Sequence, residues 1–127
     1  MSIKVIKTDQ APAAIGPYSQ GIVAKGLLYT AMQIPLDPKT GEMVGRTIDV
    51  QTRQCLENIK AVVEGAGGSM STMVKVMIYL SDISHFAEVN DIYGEYFTDQ
   101  PPARGVIETT ALPKGALVAI EAIASVE

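Results

Sequence analysis

The sequence predicts an α+β sandwich, with one mostly antiparallel sheet of about six strands and two helices on one face. Three observations carry this. Several short segments alternate apolar and polar residues at period two; two longer segments repeat apolar residues at helical spacing; and the elements run strand, hairpin, helix, strand, helix, strand, strand. The chain has 127 residues, 47% of them apolar, which is enough to bury a core without staples. No internal repeat, linker or low-complexity segment divides it, so residues 1–127 read as a single domain.

Ile3 to Ile6 reads as a short strand. Pro12 to Pro17, with two prolines and a glycine, is a loop, and Tyr18 leaves it just before the next strand. Gly21 to Gln33 reads as a hairpin. Its arms are Ile22-Val23-Ala24 and Leu27 to Met32, joined by a Lys25-Gly26 turn. Pro35 to Gly41 is a turn-rich excursion. Asp49 to Ala66 is an amphipathic helix with Cys55, Ile59, Val62 and Ala66 on one stripe; Asp49 is the expected N-cap, and Gly65, Gly67 and Gly68 the stop. Val74 to Leu80 is the clearest strand, with Val74, Val76, Ile78 and Leu80 on one face and Lys75, Met77 and Tyr79 on the other. Ser84 to Phe97 is the second helix, capped by Asp82 or Ser84, with Phe86, Val89 and Tyr93 facing inward. Arg104 opens an apolar strand after Pro101-Pro102. Leu117 to Val126 is the last strand, with Glu121 inside it.

Composition excludes several classes of function. Net charge is −4 with no basic block, which argues against nucleic acid as a partner. The only cysteine, Cys55, lies on an apolar stripe and reads as a buried core thiol. The only histidine, His85, reads as a solvated surface side chain. One of each, far apart, supports neither a zinc site nor a Cys-His nucleophile, so no metal is expected. No signal-peptide h-region and no apolar run of ~20 residues is visible, so the expectation is a soluble cytoplasmic protein without a membrane partner.

Two residues stand out as candidates for chemistry. Proline pushes the residue before it into extended backbone, so Arg104 is expected at a strand edge, held in one direction. A guanidinium held that way can grip a carboxylate through two parallel hydrogen bonds. The plainer alternative is a surface ion pair, with Glu121 as the obvious partner, because a carboxylate inside an apolar strand needs a counter-group. Two helices cover only one sheet face. The other, with Met77 and Tyr79, is too apolar to stay wet and is expected to be buried by another copy of the chain.

Five motifs occur in order: Ala14-Ile15-Gly16-Pro17-Tyr18-Ser19-Gln20-Gly21, Gln33-Ile34-Pro35-Leu36, Glu57-Asn58-Ile59-Lys60-Ala61-Val62, Phe86-Ala87-Glu88-Val89-Asn90 and Pro102-Ala103-Arg104. Together they resemble the RidA family, also called YjgF or L-PSP endoribonuclease, over essentially the whole chain. The resemblance implies a chorismate-mutase-like fold, a homotrimer with a ligand cleft at each subunit interface, and hydrolysis of 2-imino acids such as 2-iminobutanoate and 2-iminopropanoate to 2-oxo acids and ammonia, with no cofactor. It assigns the substrate carboxylate to Arg104, places Tyr18 and Asn90 in the cleft, and turns backbone groups near Ala31 and Met32 toward the ligand. By the same resemblance Val106, Ala119 and Glu121 stand at the remaining wall positions.

The sequence departs from the family pattern at several of these. Gly105-Val106 replaces Ser-Cys after the arginine, Met32 replaces a glycine, and Ala119 stands where the family has the glutamate credited with handling water. Glu121 matches the next family glutamate; it shares a strand face with Ala119 but lies ~6.5–7 Å further along. Two other readings therefore stand beside the deaminase: a non-catalytic module that binds small carboxylates on the same scaffold, and the ribonuclease of the older family name.

Overall fold

The computed structural model of the protein describes residues 2–126. The strands are β1 (Ile3–Ile6), β2 (Gly21–Ala24), β3 (Leu27–Thr30), β4 (Met73–Leu80), β5 (Ala103–Glu108) and β6 (Val118–Ser125). The helices are α1 (Ile48–Gly65) and α2 (Phe86–Tyr96). The sheet order is β1-β2-β3-β6-β4-β5. All neighbouring pairs are antiparallel except β4 with β5, which α2 connects as a parallel crossover. This is the expected sandwich, a single six-stranded sheet with two helices.

The β2–β3 hairpin closes through Lys25 (φ 52°) and Gly26 (φ 77°), the pair of positive φ values that a two-residue turn needs to match strand twist. Helix α1 stops in a Schellman arrangement. Gly67 takes φ +92° and donates to the Glu64 carbonyl, and Gly68 donates to the Val63 carbonyl. At the other end Thr47, not Asp49, is the extended N-cap residue. Asp49 sits in the first helical turn, where its charge still suits the positive end of the helix dipole. Asp82 caps the entry to α2 as expected, accepting from the Ser84 amide at 2.9 Å.

The core lies between the sheet and the two helices. Leu28, Leu56, Ile59, Ile78, Leu80 and Ile120 are fully buried there, with Cys55 among them. One expected core residue is displaced. A bulge in β4 lets Met73 pair with Ala124 and Lys75 with Ile123, so Met73 turns inward and Val74 is left exposed. The opposite face of the sheet carries Val5, Tyr29 and Ile107, all at least 45% exposed, which is the apolar outer surface that the strand pattern implied. Among the described residues, no helix is long and apolar enough to cross a membrane.

Candidate functional site

Strand register decides which candidates can meet. Arg104 is level with Val76 on β4, and Val76 is level with Ala122 on β6. Val76 and Ala122 are both core residues, so Arg104 points to the helix side of the sheet. Glu121 is level with Met77 and Gly105, so it points to the other side. With β4 between them and the sheet separating their side chains, Arg104 and Glu121 cannot form the ion pair considered above. That expectation failed because β5 joins the sheet at its edge, beside β4, and not beside the last strand.

Arg104 turns instead to one stripe of α2. Its Nη1 donates to Oδ1 of Asn90 at 2.8 Å. Its guanidinium carbon lies 4.8 Å from the ring centroid of Tyr93 and 5.6 Å from that of Phe86. These three residues stand at i, i+4 and i+7, one above another on the helix. Among the described residues the single ion pair joins Arg53 to Glu95, so no carboxylate neutralises Arg104. An exposed cation held by a neutral amide and two ring faces has no charged partner among the described residues and leaves its Nε–Nη2 edge open to an anion. Val106 shares this side of β5 and packs against the core below Arg104. Burial pushes the Tyr93 phenol up to about 12, with the nearby guanidinium acting the other way.

A second group lies in the middle of the opposite face. Between the pairs Tyr29–Ile123 and Gln33–Ile120, the chain after β3 has three residues where β6 has two. The ladder bulges there. Thr30 Oγ1 takes the Ala122 amide at 3.0 Å, Ala31 donates to the Gln20 carbonyl, and the Met32 amide finds no acceptor among the described residues. A free amide at a bulge is a ready-made donor for a ligand oxygen. On the same face the Tyr79 hydroxyl donates to Glu121 Oε1 at 2.5 Å, and this bond raises the Tyr79 phenol to about 12. Ala119, level with Tyr79, is completely buried and offers only a methyl group. Gly105 leaves its place on this face to the Met77 side chain, since a Cβ there would stand 2.6 Å from Met77 Sδ.

Tyr18 belongs to a third group. It is half exposed, and its hydroxyl accepts the Ile15 amide at 3.4 Å across a turn that Gly16 makes at φ +126°. Buried Gln20 anchors this loop: its Oε1 accepts the Thr8 amide at 2.7 Å and its Nε2 donates to the Pro12 carbonyl at 2.8 Å. A groove of about 800 Å³ flanks Tyr18, lined by Ile6, Ala11 and Gln20. Tyr18 enters β2, four strands from β5 in the sheet, a separation of ~19 Å at ~4.8 Å per strand. One chain therefore brings Arg104, Asn90 and Val106 together at one edge and Ala31, Met32, Ala119 and Glu121 together in the centre, and holds Tyr18 at the other edge.

Sequence reasoning missed three contributors. Phe86 and Tyr93 read as core residues because they fall on the apolar stripe of α2; Tyr93 is buried as expected, with Ile92 beside it, but its ring also faces Arg104, and Phe86 is 38% exposed there. Their spacing around Asn90 was the available signal. Gln20 gave no signal, because its partners are backbone groups of a loop. His85 is half-buried at the start of α2, less solvated than expected. Cys55 is buried as expected, with Sγ donating to the Gln33 carbonyl at 3.3 Å, and burial pushes its thiol well up.

Comparison with known proteins agrees with this fold over nearly the whole chain. Residues 8–126 match the model of the family described as endoribonuclease L-PSP. A RutC family protein of Pyrococcus horikoshii is 54% identical, over 95% of this chain and 96% of its own. The crystal structure of the Rid-family protein YyfA from Yersinia pestis superposes with a TM-score of 0.96 at 50% identity, covering 98% of this chain and 100% of that one. That of E. coli TdcF with bound serine gives a TM-score of 0.93 at 38% identity, covering 98% and 99%.

Proposed function

The chain belongs to the RidA (YjgF, endoribonuclease L-PSP) family, and from that premise we propose that it hydrolyses 2-imino acids such as 2-iminobutanoate and 2-iminopropanoate to 2-oxo acids and ammonia. The observation that carries this reading is Arg104. It is an exposed, unneutralised guanidinium, held from one side by Asn90 with its Nε–Nη2 edge free for a carboxylate. Serine, the ligand in the E. coli TdcF structure, is also a small molecule with a carboxylate beside a nitrogen-bearing carbon.

The cleft is composite in this reading. Tyr18 and Arg104 stand at opposite edges of one sheet, so they share a ligand only if one copy's β1–β2 edge meets the next copy's β5 edge. Such head-to-tail contacts close into rings, and a ring of three is the assembly proposed. The exposed Val5, Tyr29 and Ile107 then become interface. In the cleft Arg104 orients the carboxylate, worth ~1.5–3 kcal/mol per charge-assisted bond. The protonated imine is already electrophilic, so the protein has only to admit a water and help move its proton. No cofactor enters the reaction, and a cytoplasmic setting suits a substrate released by other enzymes.

A second reading, binding without hydrolysis, is favoured by Ala119, which puts a buried methyl where a water-handling carboxylate would stand. Adding the protein to a threonine dehydratase at work separates the two. Faster release of 2-oxobutanoate, with less semicarbazone trapped from the imine, supports the deaminase; tight 2-oxobutanoate binding with no rate change supports the binding module. The net charge of −4 weighs against a ribonuclease.

A further inference from the structure

We infer that Phe86 and Tyr93 are positioning residues that hold the Arg104 guanidinium in its carboxylate-binding pose through their ring faces. The inference rests on the proposed role of Arg104 and extends it to side chains that would otherwise be read as core.

Arg104 is anchored by a single hydrogen bond, from Nη1 to Asn90. One bond leaves the guanidinium free to swing about the Nη1–Oδ1 line. The two rings, at 4.8 and 5.6 Å on the same helix stripe, remove that freedom, because a cation is drawn to the face of each. Tyr93 itself cannot swing: it is 5% exposed and its ring packs 4.5 Å from that of Phe97. Its hydroxyl has no hydrogen-bond partner among the described residues, so the ring, and not the hydroxyl, accounts for its place. A bare arginine would lose rotamer freedom when it binds an anion; one already oriented loses less, and the difference appears as affinity.

The test measures 2-oxobutanoate binding by calorimetry and steady-state imine hydrolysis for the wild type and four variants. Tyr93→Phe keeps a ring face and removes the stranded hydroxyl, so its dissociation constant should stay within about twofold of wild type. Tyr93→Leu and Phe86→Leu should each weaken binding by about three- to fivefold, the range of a cation–π contact at an exposed site, and raise KM with kcat unchanged. Phe86 is partly exposed, so its leucine variant keeps the fold intact even if Tyr93→Leu destabilises it. Arg104→Ala is the control for the underlying reading. If Arg104→Ala abolishes binding while both leucine variants bind like wild type, the positioning role is wrong and the carboxylate role of Arg104 stands. If Tyr93→Phe weakens binding as much as Tyr93→Leu, the hydroxyl matters and the inference falls. If Arg104→Ala binds normally, the underlying reading fails and the inference with it.

Discussion

Replacing Tyr79 by phenylalanine removes one hydroxyl from the outer face of the sheet and leaves Glu121 without its donor. A hydrogen bond to a charged group contributes ~1.5–3 kcal/mol when water cannot replace it. Here both residues are only partly buried, so water recovers some of that, and ~1 kcal/mol is the expected loss at pH 7. The pH dependence gives a second view of the same bond. The hydrogen bond to Glu121, helped by partial burial, pushes the Tyr79 phenol up to about 12 from its usual 10. Two units would correspond to ~2.7 kcal/mol, and solvent screening reduces this to the same ~1 kcal/mol. A folded pKa above the unfolded one means that the stabilisation is complete below pH 10 and is lost between pH 10 and 12. Urea unfolding of wild type and Tyr79→Phe, at one protomer concentration and at several pH values from 7 to 11, reads the difference directly. The wild type should lead by ~1 kcal/mol at pH 7, with the lead shrinking above pH 10. Equal stability at pH 7, or a lead unchanged at pH 11, would refute the reasoning.

Three further outcomes follow from the packing. Gly21→Ala should cost ~1–3 kcal/mol in urea unfolding, because its Cβ would stand 2.9 Å from Leu28 Cδ1 and 3.0 Å from Val62 Cγ1; Val62→Ala in the same chain should recover part of the loss. Cys55 should not react with a thiol-specific disulfide reagent at pH 8 in the native protein and should react at the unfolding rate in denaturant, since it is fully buried and its thiol is pushed up. Glu95→Gln should change stability by less than ~0.5 kcal/mol by the same unfolding assay, since the bidentate Arg53–Glu95 pair is about half exposed on both sides.

Much of this architecture was legible in the sequence because it rests on periodicity. The strand of Val76, Ile78 and Leu80 and the α1 stripe of Cys55, Ile59 and Val62 bury the residues that their spacing selects. The Lys25-Gly26 turn and the glycine stop after α1 followed from backbone conformations that few residues accept. What was not legible depends on register and strand order. Val74 is exposed because one residue bulges out of β4, which alternation cannot foretell. The supposed Arg104–Glu121 pair fails because β4 lies between the two strands and the side chains leave opposite faces. Within the site, the Pro101-Pro102 entry suggested an Arg104 held in one direction, with a carboxylate ligand or a surface ion pair as its possible partner. The ring partners that hold it depend on where α2 sits beside Arg104, and the spacing of Phe86 and Tyr93 around Asn90, which also fits core residues, was the one signal of them in the pattern.

The central claim is that Arg104 clamps a 2-imino acid for hydrolysis on a scaffold that has alanine at position 119. The most direct measurement generates 2-iminobutanoate in situ with threonine dehydratase, in the presence of semicarbazide. It compares imine removal by the wild type, Arg104→Ala and Ala119→Glu. The account predicts that the wild type removes the imine, that Arg104→Ala does not, and that Ala119→Glu is not required for activity. An inert wild type with an active Ala119→Glu variant would contradict it, and would make the native chain a carboxylate-binding module.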